Sequence, residues 1–457
     1  MSIKVCKFSG NVLTSTEELK HLKKILNSDK KRKILVIAAP GKTETQDNMT
    51  DTLIECAQYF IKNKKLPETL IQQIEKRFNE IYNTTKVSKK SITKCIDDLT
   101  GRIRSYKGKN EKYLDTVKSA GEEYNARLIS EYLQTEGVKC QYIDPKEAGI
   151  QVTPDFGDAD IIEDSYDKLK LLRDRDSIII IPGFFGYTKK GHIATFSRGG
   201  NDLTGSILSH AVDASVYENF IDYDGLTVVN PALVPKASLI REITYQELRE
   251  LTYAGFKTFH EELLYPVMKK GIPMHLINFH DPSKPGTMIV TERDTKKASI
   301  IGIAYEKGFC TINIEKYMMN QEKGFARKLF EIIEKNRLSF DHSPSGIDSM
   351  SVVLKQDQLP LDKIRQICKQ MYNELKADNV YFDYNHALIS IVGPGLKKDD
   401  SSIALILDSL TKEDIYVKMI IKGGSEISII LSLDQDLAEK AIQLIYSKLF
   451  GSGGKAR

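Results

Sequence analysis

No two of the six cysteines stand close together. Cys6, Cys56, Cys95, Cys140, Cys310 and Cys368 are scattered over 457 residues, which argues against a zinc site or a disulfide framework and reads as free thiols in a reducing cytosol. No run approaches the ~20 apolar residues that a bilayer span needs. The opening Met-Ser-Ile-Lys lacks the apolar core and small-residue cleavage site of a signal peptide. Strong charge is missing too. The 66 basic and 62 acidic residues leave a net +4 spread along the chain, so neither nucleic acid nor a membrane is an expected partner. What is present is ordinary: 41% hydrophobic and 28% charged residues, in a chain too long for one core, so two or three domains are expected.

The first 293 residues read as α/β. Ile3–Phe8 alternates and stops at Ser9-Gly10, a strand running into a turn. Ser15–Asn27 has helical spacing, with Leu19, Leu22, Ile25 and Leu26 on one side. Ile34–Ile37 and Ser177–Ile181 are solid apolar strands of the kind covered on both faces. Asp51 to about Leu133 is helical and charge-rich, and its basic stretch Lys86–Lys94 reads as a solvated face. Thr204–Ala211 reads as a helix, Leu226–Val229 as a strand, Thr244–Lys269 as mostly helix and Ile272–Ile277 as a strand. This alternation implies a largely parallel sheet between helical layers.

The pattern changes near residue 295. Strands are expected at Ala298–Ala304, Phe309–Ile314 and Ser351–Leu354, with helices at Gly324–Lys335 and Leu361–Leu375. A second set follows: strand Ala387–Val392, helix Ser401–Leu410, strands Tyr416–Ile421 and Glu426–Leu433, and helix Gln435–Leu449. Two successive β-α-β-β-α units make a degenerate repeat, followed by a flexible tail, Gly451–Arg457. The expected domains are 1–293, 294–380 and 381–457.

Two segments carry groups suited to phosphoryl transfer, whose catalysis is mostly positioning and electrostatics. Lys7 precedes a turn, Ser9-Gly10, whose backbone N–H groups could face phosphate. The segment Thr195-Phe-Ser-Arg-Gly-Gly-Asn-Asp202 joins an arginine able to grip a carboxylate to adjacent glycines and an aspartate at a helix start. Lys7 also fits a surface lysine, and Asp202 a helix cap.

Five segments, in order, resemble the aspartokinase family over nearly the whole chain. Lys7-Phe8-Ser9-Gly10 matches its Lys-Phe-Gly-Gly, and Gly121-Glu122 its Gly-Glu at a helix start. Arg198-Gly199-Gly200-Asn201-Asp202 matches its Arg-Gly-Gly-Ser-Asp. Ile221-Asp222-Tyr223-Asp224-Gly225, with Pro231, matches its Thr-Asp-Val-x-Gly and following proline. Gly255-Phe256-Lys257-Thr258-Phe259-His260 matches its Gly-Ala-Lys-Val-Leu-His. The resemblance implies a three-layer amino-acid kinase domain with a mostly parallel sheet, followed by two ferredoxin-like ACT units. It implies transfer of the γ-phosphoryl of Mg·ATP to the β-carboxylate of L-aspartate, the entry to lysine, threonine and methionine synthesis. Lys7 and Asp202 would be catalytic. Thr50, Glu122 and Arg198 would bind substrate, Glu122 through its ammonium and Arg198 through a carboxylate. Lys7, Gly10, Asp222, Gly225 and Lys257 would line the nucleotide side, with no dedicated metal cage.

In the ACT pair, Met318, Gly324, Phe325, Asp341 and Ser345 match positions that hold an amino-acid inhibitor in lysine-sensitive relatives, and Asp341 would take its ammonium. A cytoplasmic homodimer joined through the ACT units is implied as well. The chain departs from the family pattern at Ser9, Asn11-Val12, Ala38, Ile221, Asn230 to Ala232, and Phe279. These changes leave open a paralogue acting on another carboxylate, or a sensor without catalysis.

Overall fold

The computed structural model describes residues 2–197, 199–256, 261–294, 299–397 and 400–451. Strands in chain order are β1 (Lys4–Phe8), β2 (Arg32–Ile37), β3 (Cys140–Tyr142), β4 (Gln151–Val152), β5 (Ile178–Pro182), β6 (Phe185–Thr188), β7 (Ile193–Thr195), β8 (Val216–Ile221), β9 (Glu242–Thr244), β10 (Met274–Asn278) and β11 (Thr287–Val290). They continue with β12 (Gly302–Glu315), β13 (Ser349–Lys355), β14 (Asn379–Val392), β15 (Met419–Lys422) and β16 (Ser428–Asp434). The α-helices are α1 (Thr16–Ser28), α2 (Met49–Asn63), α3 (Glu68–Ile81), α4 (Lys89–Arg104), α5 (Asn110–Lys118), α6 (Ala120–Thr135), α7 (Pro145–Ala148), α8 (Ser165–Lys170), α9 (Gly200–Ala211), α10 (Tyr245–Tyr253) and α11 (Tyr265–Lys269). The last four are α12 (Phe325–Lys335), α13 (Leu361–Leu375), α14 (Ser401–Thr411) and α15 (Ala438–Phe450). No helix among the described residues is long and apolar enough to cross a membrane.

The chain forms two compact units. One comprises 1–226, 239–246 and 258–293; the other comprises 227–238, 247–257 and 294–457. In the first, eight strands run in the order β3-β5-β2-β1-β8-β10-β11-β9. All neighbours from β3 to β10 are parallel, and only β10 with β11 is antiparallel. Strand alternation sends Cys6, Phe8, Leu35, Ile37 and Phe220 into one core with the apolar faces of α1 to α6. Ser15 starts α1 with a reciprocal capping box to Glu18. Lys7, Tyr217 and Asn219 point to the opposite face, which carries α9.

A charged cluster lies within this unit. Buried Glu218 accepts from Lys4 Nζ and Arg32 Nε, each at 2.6 Å, and Arg32 also donates to Ile25 O and Ser28 Oγ. Burial alone would raise the Glu218 carboxyl, but hydrogen bonds and charge from Arg32 and Lys4 outweigh it and hold it below its ordinary value. Glu218→Gln removes that charge while leaving Arg32 buried. It is expected to destabilise the first unit by about 1–3 kcal/mol in urea unfolding, and no change would show that the pairing is energetically idle.

The second unit holds one five-stranded antiparallel sheet, β13-β12-β14-β16-β15. The two expected strands at 298–304 and 309–314 are, over the described residues, one strand, β12; its partner β14 is equally long and pairs along its whole length. Gly308, at φ 84, and register shifts around Phe309 break the alternation without ending the strand. The two repeats therefore share a continuous sheet. Cys310, Ile312 and Ile314 alternate inward with Met350, Val352 and Leu354 against Leu329, Ile332, Ile364 and Met371 of α12 and α13. The expected strand at 226–229 forms only a bridge and bends, and the expected helix at 244–269 is broken into α10, a 3-10 turn and α11. The expected flexible tail falls, beyond residue 451, outside the described residues.

Candidate active site

Ligands of open parallel sheets bind beyond the carboxyl ends of the strands, where neighbouring crossovers diverge. Here those ends deliver Ser9-Gly10 after β1, Ala38 to Gly41 after β2, Gly183-Phe184 after β5 and Asp222 to Gly225 after β8. The amino end of α9 faces the same edge, led by Gly199 at φ 85. Such an end offers free backbone N–H groups and partial positive charge to an anion.

Lys7 and Asn219 are register partners on β1 and β8, so their side chains rise together toward α9. Both are buried. Lys7 Nζ lies 3.0 Å from Asp202 Oδ1 and donates to Ser9 Oγ at 3.0 Å. Asn219 Nδ2 donates to the same Asp202 oxygen at 2.7 Å, and Tyr217 OH donates to the Asp202 carbonyl at 3.2 Å. Asp202 is thus fixed by three residues of two strands, β1 and β8, with one carboxylate oxygen committed.

Glu122 stands in the first turn of α6, which packs at Gly121 against Ala39, Met49 and Leu53. Thr50 lies beside them in the first turn of α2, its N–H capped by the Asn48 side chain at 3.0 Å. The Glu122 side chain is fully buried, and Asn201 Nδ2 donates to its Oε1 at 3.4 Å. Burial pushes the Glu122 carboxyl up to about 7. Its own N–H, Asn201, the Ala39 N–H and the charge of Lys118 oppose that rise without cancelling it.

On the other flank Asn11 Nδ2 donates to Asp222 Oδ2 at 3.1 Å. Asp224 is clamped by Lys284 at 2.8 Å and by Asn278 Nδ2 at 2.6 Å, and these hydrogen bonds hold it below its ordinary value. Gly225 adopts φ 127, where any Cβ would come within 2.6 Å of Thr287 Oγ1. Three sets of contacts, Glu122–Asn201, Asp202–Lys7–Ser9 and Asn11–Asp222, are joined through the backbone at 201–202 and 9–11. They bring together Lys7, Glu122, Asp202 and Asp222, with Gly10 in the turn between Ser9 and Asn11. Arg198 and Lys257 lie outside the described residues.

Three of the departures from the family pattern, Ser9, Phe279 and Ala38, have the following surroundings. Ser9 sits at φ −64, ψ 151, extended backbone open to any residue, and its hydroxyl serves Lys7. Phe279 turns into the core: its ring meets Phe8 and His21 edge-on, while Phe8 stacks on Phe220 at 4.7 Å. Ala38 contributes its carbonyl to Asn125 Nδ2 at 2.8 Å.

In the second unit Gly324, at φ 80, starts α12, and Phe325 is buried beneath the Lys316 ammonium. Met318 adopts φ 57 and donates its N–H to Asp348 Oδ1 at 2.8 Å. Asp341 and Ser345 flank β13, Asp341 N–H reaching Val353 O at 2.8 Å and Ser345 bridging Met350. Burial raises the Asp341 carboxyl, Lys355 lowers it and Glu306 raises it.

Sequence reading missed Asn201 and Asn219. An amide in a helix start or a strand carries no motif of its own. The one signal was that Asn201 stands where the quoted pattern has serine.

A family model for the amino acid kinase family matches residues 2–278, and one for an ACT domain matches residues 389–449. The chain is 40% identical over 449 residues to aspartokinase 3 of Bacillus subtilis (strain 168), covering 98% of this chain and 99% of that one. It is 27% identical over 461 residues to aspartokinase 1, chloroplastic, of Arabidopsis thaliana, covering 98% and 80%. Among solved structures it resembles the aspartate kinase of Clostridium acetobutylicum, with TM-score 0.85, 34% identity and coverage of 98% and 100%. Its fold is also like that of E. coli aspartokinase III in complex with aspartate and ADP, with TM-score 0.77 and 22% identity.

Proposed function

Because the chain belongs to the aspartokinases of the amino acid kinase family, we propose a division of labour among its residues for phosphorylating the β-carboxylate of L-aspartate at the expense of ATP. The observation that carries it is the series of contacts, joined through the backbone at 201–202 and 9–11, from Glu122 through Asp202 and Lys7 to Asp222. Lys7 neutralises the phosphoryl group in transit. Asp202, with Asn219 behind it, holds the Lys7 ammonium in place, and the α9 N-terminus adds backbone donors. Glu122 takes the substrate ammonium, Thr50 lies beside it, and Arg198 takes a carboxylate by analogy with the family. Gly10, Asp222, Gly225 and Lys257 line the nucleotide side. The attacking carboxylate is already ionised, so no general base is required, and proximity supplies much of the rate.

Magnesium would shield the phosphate charge. The described residues offer no cluster of three metal-ligating side chains. An ion held mainly by phosphates and water, with one or two carboxylates, needs no such cluster. Residues 1–293 form the kinase domain in this reading, and 294–380 and 381–457 the ACT units. These units regulate the kinase, with Met318, Gly324, Phe325, Asp341 and Ser345 receiving an amino acid, in a cytoplasmic homodimer joined through them. Such feedback would act through a coupling of roughly 1–3 kcal/mol.

A coupled ADP-release assay over a panel of amino and dicarboxylic acids, with and without lysine and threonine, tests this. Aspartate should support turnover, and one of the two amino acids should suppress it. Turnover without preference for aspartate would refute the substrate assignment. Suppression that persists undiminished in Asp341→Ala would refute the effector site.

A further inference from the structure

Arg77, on α3, is a buried guanidinium whose partners are backbone carbonyls and not carboxylates. Its Nη2 donates to Gly41 O and its Nη1 to Asp47 O. One planar fork thus joins the two ends of the loop that follows β2. Burial pushes the Arg77 guanidinium down to about 10, against the opposing charges of Asp47 and Glu80. Holding a cation in such a place costs stability, and functional sites are where such costs are kept.

The loop that Arg77 grips meets the cleft at three points. The Ala39 N–H faces the Glu122 carboxylate. Gly41 packs backbone to backbone on the turn after β1: a Cβ at Gly10 would run into Ala39 O and Gly41 N, and one at Gly41 would run into Asn11. At the far end Pro40 O accepts the Met49 N–H at 3.1 Å, and Asn48 caps Thr50 at 3.0 Å. Within the loop Thr43 N–H donates to Gln46 O at 2.9 Å, while the Lys42 and Asp47 side chains are 73% and 82% exposed. From outside, α3 holds this stretch by an exposed contact, Gln46 Nε2 to Glu80 at 2.6 Å, and by the buried Arg77 fork.

We infer that Arg77 is a positioning residue for the phosphoryl transfer. By pinning Gly41 and Asp47 it keeps the Ala39 N–H on Glu122, Gly41 against Gly10, and the start of α2, with Thr50, beside them. A side chain outside the cleft thereby sets the spacing between its aspartate and nucleotide sides. This rests on the assignment of Glu122 and Thr50 to aspartate and of Gly10 to the nucleotide.

The test is Arg77→Lys. It keeps the charge, and the α3 residues Ile74, Phe78 and Ile81 stay in the core, but an ammonium cannot fork to two carbonyls. Trypsin reads the loop at Lys42. Cleavage there should speed up roughly 10- to 100-fold, the effect of losing a hydrogen bond to a charged group when cleavage follows the open population. The kcat/KM for aspartate should fall by roughly 10- to 100-fold, the scale of a small misplacement of substrate, with most of the loss in KM. As the Ala39 N–H withdraws from Glu122, the pH at which the aspartate KM levels off should move upward, which a mere loss of stability would not cause. Arg77→Met, of like length and with no charge to bury, is the second variant and should lose as much or more. Wild-type cleavage at Lys42, or faster cleavage with unmoved kinetics, would overturn the inference. If Glu122→Gln raises the aspartate KM and Arg77→Lys does not, Arg77 falls and Glu122 stands; if neither does, both fall.

Discussion

Replacing Lys7 by alanine is expected to lower kcat by on the order of 10³-fold or more, the scale seen when a cation on a transferring phosphoryl group is removed, with the KM for aspartate moving far less. Lys7 is 6% exposed. Its ammonium is fixed by Asp202 and Ser9 at 3.0 Å each, so it is oriented before substrate arrives and pays little to reorganise. Asp202→Ala should cost nearly as much, because it releases that ammonium and leaves the Asn219 amide without its acceptor. The double variant should be little worse than either single one, since groups acting as a unit are not additive. Single-turnover rates of the three variants decide the matter. Additive losses would mean that the two residues act separately, and unchanged rates would remove both from the chemistry.

Glu122→Gln is expected to raise the aspartate KM by roughly 10²- to 10³-fold, the effect of removing one partner of a buried charge pair. At the same time it should stabilise the unliganded protein. Burial pushes the Glu122 carboxyl from 4.5 up to about 7. A carboxyl whose folded value is raised adds no penalty below pH about 4.5, where it is neutral in both states. The penalty grows as pH climbs through the folded value and is then constant, at about 3 kcal/mol for a shift of this size. The substrate ammonium repays it by pairing with the ionised form. The wild-type KM for aspartate should therefore fall about tenfold per pH unit as pH rises toward 7 and level off above it. In Glu122→Gln this dependence should vanish, and urea unfolding at pH 8 should require more denaturant. A wild-type KM flat from pH 5.5 to 8.5 would contradict this assignment.

Legibility from sequence followed burial. Ile34–Ile37 and Ser177–Ile181 read correctly as strands because both faces are covered, which leaves a solid apolar run at β2 and β5. The helices from 49 to 135 read correctly because their one-sided apolar stripes meet a single core. The strands β3, β4, β7 and β9 span two or three residues, too few to show a period. β12 reads as two strands, and β14 as its second half alone, because Gly308 and Asn385, both at positive φ, interrupt the pattern at sites that the pairing tolerates. At the site, Lys7, Arg198 and Asp202 are legible in their own segments, whereas Glu122, Asp222 and Lys257 come from the resemblance alone. Asn201 and Asn219 were found by neither, because an amide's role depends on which oxygen remains unpaired after folding. The effect of Ser9 was equally hidden: only the backbone angle shows that serine costs nothing there.

The central claim is that the cleft holding Lys7, Asp202 and Glu122 makes an acyl phosphate on the β-carboxylate of aspartate. Hydroxylamine traps such a product as a hydroxamate, so the most direct measurement is hydroxamate formed per ADP released with aspartate and ATP. The account predicts one β-aspartyl hydroxamate for each ADP, abolished in Lys7→Ala and in Asp202→Ala. ADP release without hydroxamate, or hydroxamate that survives both substitutions, would contradict it.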